Sequence, residues 1–346
     1  MKKIYILNLL VLSFLALATE LKAQDPHFSM YYMAPQTLNP ALTGLFEENG
    51  RVGVNYRHQW AGATVPYKTF TAWGEASLFR NSLNGSMFGL GVLASSDVAG
   101  DGNYTNNGLN LSLAYHQSLD ADNSSFLSFS GQAGFCQRSL DFTKLFFDSQ
   151  YNGSSFDLGT ASGEQGVGQM QHLFFNASAG MAWSYSPTEN QSYHIGVAGY
   201  NLNQPNRGFL GTGLDFLPRK IILNAGAELP LSKWVGLMPQ LVYMTQGPVN
   251  QLNLALMFKF KLSERKRTKK HQQAAQNFHV GLQNRFGDAF IGMIRYDVNQ
   301  LTFAISCDLK FNKLAAATGA TAAPEVAIQY RIGDNSKRRR LRCPSF

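Results

Sequence analysis

Apolar and polar residues alternate with a period of two along most of this chain. At 175–185 (FNASAGMAWSY) the odd positions Phe175, Ala177, Ala179, Met181, Trp183 and Tyr185 are apolar or aromatic, whereas Asn176, Ser178, Gly180 and Ser184 are small or polar. Such alternation predicts a strand with one greasy face, and about ten residues is the length a tilted strand needs to cross a bilayer. The pattern recurs between turn signals at 51–59, 67–79, 86–95, 108–117, 125–138, 173–185 and 193–200. It continues at 219–229, 234–245, 251–262, 278–284, 289–296, 302–309 and 325–332, giving about fourteen strands.

The second face is polar. Leu109, Leu111, Leu113 and Tyr115 alternate with Asn110, Ser112 and His116, and Leu252, Leu254, Leu256 and Phe258 with Asn253 and Lys259. The core of a sandwich would not accept that face without partners, whereas a barrel turns it inward. The expectation is an all-β fold: an outer-membrane type antiparallel β-barrel over 50–332 with a wet lumen. Trp60, Trp73, Trp183, Tyr185, Tyr193, Tyr200, Trp234, Phe258, Phe260 and Tyr330 stand near strand ends, where aromatic girdles form.

What precedes the strands has a different grammar. Lys2 and Lys3, an apolar run at 4–18 and Leu21-Lys22-Ala23 read as a signal peptide over 1–23. The run is shorter than the roughly 20 residues of a spanning helix, so no helical anchor is expected. Residues 24–49 contain three prolines within 24–45 and no alternation, so they predict a non-strand segment at the base of the barrel or inside it.

Composition agrees with a lipid-facing surface. Charged residues make up only 15%, against about 25% in soluble proteins. A mean hydropathy of −0.17 argues against a helical membrane bundle but not against a barrel. The formal net charge of +8 is concentrated in two segments: 259–270 holds seven Lys/Arg and one Glu, and 337–342 holds five Lys/Arg. Short connections at 80–85, 118–124, 186–192, 230–233 and 297–301 are expected on the periplasmic side. Longer ones at 60–66, 96–107, 139–172 and 201–218 are expected outside. The long basic connection 263–276 breaks that rule, and with the tail 333–346 it is placed on the periplasmic side. Arg265, Lys266, Arg267, Lys269, Lys270, Arg338, Arg339 and Arg340 are the candidate partner-binding residues; a solvated charge run is the alternative, and patterning alone does not separate the two. Nucleic acid is not an expected partner of an exported protein.

Catalytic and cofactor signatures are lacking. His58, His116, His172, His194 and His279 are scattered without HExxH spacing, no GxSxG occurs, and the glycine-rich 159–168 lacks a following GK[ST]. Cys136, Cys307 and Cys343 are far apart, with neither metal-ligand nor disulfide-framework spacing. No enzyme, metal or cofactor is expected.

The motifs at the two ends carry a resemblance. Asp25-Pro26-His27-Phe28-Ser29, Tyr31-Tyr32, Leu38-Asn39-Pro40-Ala41 and Thr43-Gly44 open the mature chain, followed by Tyr56-Arg57-His58-Gln59-Trp60 and Pro66-Tyr67-Lys68-Thr69. Tyr296-Asp297-Val298-Asn299, Lys313-Leu314, Pro324-Glu325-Val326-Ala327 and Cys343-Pro344-Ser345-Phe346 stand near the end. In this order the chain resembles the PorP/SprF family of Bacteroidetes outer-membrane proteins. The resemblance implies a role in type IX secretion and gliding motility, in which the barrel helps export a partner or retain it at the surface. It implies outer-membrane lipid, secretion components on the periplasmic side and a secreted surface protein on the outer side as partners. The rival reading is an outer-membrane channel for small or hydrophobic solutes. A polar, open lumen favours the channel; a lumen filled by the amino-terminal segment favours the interaction role.

Overall fold

The computed structural model describes residues 28–59, 65–83, 85–157, 159–163, 168–209, 215–263, 266–267, 272–273, 275–311 and 322–333. The expected signal peptide, Asp25, Pro26, Trp60, Arg265, Lys269, Lys270, Arg338, Arg339, Arg340, Cys343 and Pro344 lie outside the described residues. Strands β1 (Gly50–Gln59), β2 (Tyr67–Leu83), β3 (Ser86–Ala99), β4 (Tyr104–Ser118), β5 (Ser125–Asp141), β6 (Gln169–Thr188) and β7 (Gln191–Tyr200) form the first half of a barrel. The second half is β8 (Lys220–Pro230), β9 (Val235–Gln246), β10 (Val249–Ser263), β13 (Gln276–Arg285), β14 (Ala289–Val298), β15 (Leu301–Lys310) and β16 (Ala322–Ile332). These fourteen strands pair antiparallel with their neighbours, and β1 pairs with β16 to close the ring. Among the described residues no helix is long and apolar enough to cross a membrane.

Every strand expected from the alternation is present, and most run further than expected. The β3–β4 ladder continues to Ala99 and Tyr104, and the β5–β6 ladder to Asp141 and Gln169. The expected loops 96–107 and 139–172 therefore shrink to 100–103 and 142–168. Polar residues such as Ser96, Asp97, Asn106 and Asn107 interrupt the apolar pattern, yet backbone pairing does not require apolar side chains. One rim, here called the terminal end, carries Asn49, Gly333 and the connections after β2, β4, β6, β8, β10 and β14. The opposite rim is the loop end. The two-residue β11 (Lys266–Arg267) and β12 (Gln272–Gln273) pair as a small ribbon within the basic connection, which was expected to be plain loop.

Side-chain parity sets both faces. Leu109, Leu111 and Leu113 point outward and are more than half exposed, whereas Ser112 and His116 on the same strand are buried inside. The same parity corrects two of the girdle assignments: Trp73 shares the lumen face with Thr71 and Glu75, and Tyr200 is also buried, while Trp183, Tyr185, Trp234, Phe258 and Tyr330 face outward.

The lumen is not the wet channel its polar wall suggested. Residues 28–46 lie inside it, and all except Thr37 are buried. Tyr31–Met33, Pro35–Leu38 and Pro40–Leu42 form single helical turns, two of them started by a proline at the first position, where no backbone donor is lost. Asn39 caps the last turn by accepting from the Ala41 amide at 2.9 Å. The segment begins in the loop-end half, where Phe28 clusters with Ala34, Trp73 and Leu93. It descends to Gly44 at the terminal end before turning into β1.

Candidate functional site: the plug and its wall

Polar residues on the wall meet this plug at three levels. Near the loop end, the Glu325 carboxylate accepts from two successive plug amides, Ser29 at 2.7 Å and Met30 at 3.1 Å. The Ser29 hydroxyl donates to Asp308 Oδ1 at 2.6 Å and accepts from Arg285 Nη2 at 2.7 Å. Asp308 Oδ2 in turn receives Arg57 Nη2 at 2.6 Å and Arg285 Nη1 at 2.9 Å. Two buried arginines are thus matched by two buried carboxylates, with a plug serine between them. Buried charges hold together only when paired and hydrogen-bonded in this way.

At mid-height the plug uses amide side chains to bond wall carbonyls. Gln36 Nε2 donates to the Gly74 carbonyl at 3.2 Å, while its Oε1 accepts from the Ser112 hydroxyl at 3.3 Å. Asn39 Nδ2 lies 3.1 Å from both the Met181 carbonyl and Asn224 Oδ1. Tyr200 donates its hydroxyl to the Gln36 carbonyl at 3.0 Å, and the Tyr32 hydroxyl is 3.1 Å from His194 Nε2. His116 Nε2 stands 2.8 Å from the Thr43 carbonyl, which only accepts, so this nitrogen carries the proton. His116 Nδ1 then accepts from the Ser128 hydroxyl at 2.7 Å.

At the terminal end a second carboxylate captures a plug amide. Glu75 Oε2 accepts from Gly44 at 2.8 Å, and Arg51 Nε donates to Oε1 at 2.5 Å. Arg80 donates to the Phe46 and Glu47 carbonyls, and the Arg51 guanidinium lies 4.7 Å from the centre of the Phe46 ring. Backbone meets backbone here. Gly44 has φ +80°, and a Cβ on Gly89 would stand 1.9 Å from the Thr43 carbonyl oxygen.

The structure divides the residues singled out in the sequence. Ser29, Arg57 and Gln59 come together at the loop-end anchor, while Phe28 packs with Ala34, Trp73 and Leu93; with its amide oxygen toward Arg57, Gln59 accepts from Nη2 at 2.8 Å. Asn39 and Pro40 sit at mid-plug. Tyr56 faces outward and stacks with His58, their ring centres 6.5 Å apart. Lys266 and Arg267 form β11 of the ribbon in the connection between β10 and β13. Arg51, Glu75, Arg80, Arg285 and Asp308 were missed. Arg51, Glu75, Arg285 and Asp308 are charged residues on the lumen parity of a strand, and a buried charge there calls for a partner, a signal the sequence carried without naming the partner. Arg80 is off that parity and turns inward only after β2 breaks its alternation near Phe79, which has φ +57°. His116 and His194 are occupied with the plug. Among the described residues no three His, Cys, Asp or Glu side chains converge as a metal site.

Solved structures are similar to this chain at low identity. The Pseudomonas putida toluene transporter TodX is 10% identical with a TM-score of 0.53, the alignment covering 88% of this chain and 94% of that one. The CymD monoaromatic hydrocarbon channel is 12% identical with a TM-score of 0.47, over 89% and 94% of the two chains. A Pseudomonas aeruginosa FadL homologue is 11% identical at 0.44, over 85% and 92%. No curated protein matches the chain at a significant level. A sequence profile matches residues 20–328 from end to end of the plug and across nearly all of the barrel, so the chain belongs to the type IX secretion system membrane protein PorP/SprF family.

Proposed function

We propose that this barrel acts as a docking component in the outer membrane rather than as a conduit, helping to export a type IX secretion client or hold it at the surface. The observation that supports this most is the filled lumen. Residues 28–46 are bonded to the wall at the loop end, the middle and the terminal end, and a solute would have to displace all three sets of contacts. With the path through the barrel occupied, work is left to the rims. The loops 142–168 and 201–219 offer an outer platform for a secreted surface protein. The basic residues Arg265, Lys266, Arg267, Lys269, Lys270, Arg338, Arg339 and Arg340 offer a complementary surface to acidic partners of the secretion machinery on the periplasmic side. Gliding motility would follow where the client is an adhesin.

Affinity purification from outer membranes in mild detergent, with mass spectrometry of what co-elutes, tests this reading. Recovery of secretion components or one large surface protein is expected, and charge reversal of both basic segments should lower recovery without unfolding the barrel. A barrel that purifies alone and conducts in planar bilayers would replace this reading with that of a solute channel, the role named for the toluene transporter of similar fold.

A further inference from the structure

Above the plug, on the loop-end side, lies a cavity of about 170 Å³. By the measure in which one water needs about 10–15 Å³, it has room for roughly eleven to seventeen waters. Its floor is aromatic, made by Phe28, Tyr31 and Tyr200. Its sides carry amides and hydroxyls, among them Thr71, Asn106, Asn110, Gln132, Asn176 and Ser178. Three residues that line it each carry a buried polar atom with no hydrogen-bond partner in the protein: the Tyr31 hydroxyl, Asn106 Oδ1 and Asn176 Oδ1. Two of the three are pure acceptors that call for a donor, and the third both donates and accepts.

The charges at the rim are already engaged. Asp97 accepts from the Thr69 hydroxyl at 2.5 Å, and the Lys220 ammonium lies 5.0 Å from the centre of the Tyr200 ring. The lining carries one carboxylate and one ammonium, so it has no net charge with which to select a charged ligand. A hydrocarbon would leave the three polar atoms unpaired. What fits is a neutral ring with several hydroxyl donors on its edge and an apolar face.

We propose that this vestibule binds a saccharide unit, its hydroxyls bonded to Asn106, Asn176 and Tyr31 and its ring face resting on the aromatic floor. The site is separate from the rim surfaces of the docking role and stands or falls without them.

The test uses the full-length barrel in detergent, titrated calorimetrically with glucose, galactose, mannose, N-acetylglucosamine and lactose, and in parallel with toluene and a neutral dipeptide. Saturable binding of at least one saccharide is expected. Tyr31→Phe should weaken it by about threefold to tenfold, as should Asn106→Ala and Asn176→Ala. Tyr31→Phe removes only an unpartnered hydroxyl and keeps the ring, so its effect reports binding rather than folding. The proposal is overturned by no saturable response across the sugars, by unchanged affinity in all three variants, or by tighter binding of toluene or the dipeptide.

Discussion

The two ends of the plug are held by the same device in different settings. At each, a wall carboxylate accepts plug amides beside an arginine: Glu325 for Ser29 and Met30, Glu75 for Gly44. At the loop end, Arg57 and Arg285 face Asp308 and Glu325, with Asp288 also pairing Arg285 at 3.0 Å, a group that draws its charge from β1, β13, β15, β16 and the turn after β13. At the terminal end, Arg51 pairs with Glu75, while Arg80 donates to the Phe46 and Glu47 carbonyls. The terminal anchor is also backed by covalent continuity, since Phe46 leads within four residues into β1. The comparison teaches that the two anchors do different work. Contacts alone hold the plug near its start, whereas the chain itself holds it at the other end.

The sharpest way to break that comparison is Asp308→Ala. It leaves Arg57 and Arg285 buried without their shared counter-charge, at a cost of about 3–5 kcal/mol. Both a lower unfolding temperature and new conductance in planar bilayers are expected; a variant as stable and as silent as the parent would remove the loop-end anchor from this account. Glu75→Gln provides the contrast. It keeps an acceptor for Gly44 but weakens the bond to Arg51, costing about 1.5–3 kcal/mol. Because the chain still tethers the plug, conductance should stay at the parental level, and a conducting Glu75→Gln barrel would erase the distinction between the ends.

Gly89→Ala sharpens the comparison from the wall side. The added methyl meets the Thr43 carbonyl oxygen, and one of the two backbones must shift, at about 1–3 kcal/mol. Chemical denaturation should show the loss, with the plug still in place by conductance. The smallest effect belongs to Asp120, in the turn between β4 and β5. Partial burial pushes its carboxyl up, but donation from the Ser124 hydroxyl and from the Ser125 and Ser124 amides outweighs this and holds it below the ordinary carboxylate value. The stabilisation is therefore complete above the unfolded value of about 3.9 and is lost as pH falls through the lower folded one. Asp120→Asn should flatten the acid limb of a stability profile and change little near neutrality.

The wall could be read in the sequence and the contents of the lumen could not. Alternation is local, so Leu109 to Tyr115 or Leu252 to Phe258 announces a strand without knowledge of its neighbours. Strand ends were harder, because Ser96 and Asn107 still pair after the apolar pattern has stopped. The path of the plug rests on contacts such as Ser29 with Glu325, which are separated by 296 positions, and no local pattern encodes such a pair. Prolines excluded 24–45 from the sheet but left its place open. The motif residues Ser29, Asn39 and Arg57 were visible as a resemblance, and only the structure gives them a common task. The vestibule was invisible for the same reason: Tyr31, Asn106 and Asn176 come from the plug and from two strands that do not pair with one another.

The loop-end anchor also lies across the line where the first strand meets the last. Arg57 on β1 and Glu325 on β16 are register partners at that join; Asp308 on the adjacent strand ties Arg57 to the Ser29 hydroxyl, and Glu325 accepts directly from the Ser29 amide. A ring zipped shut around an empty interior would bring these charges together without Ser29 to bridge them. The plug is therefore a staple across the seam that closes the ring, because the groups Ser29 binds there belong to the last strand and to the strand beside it.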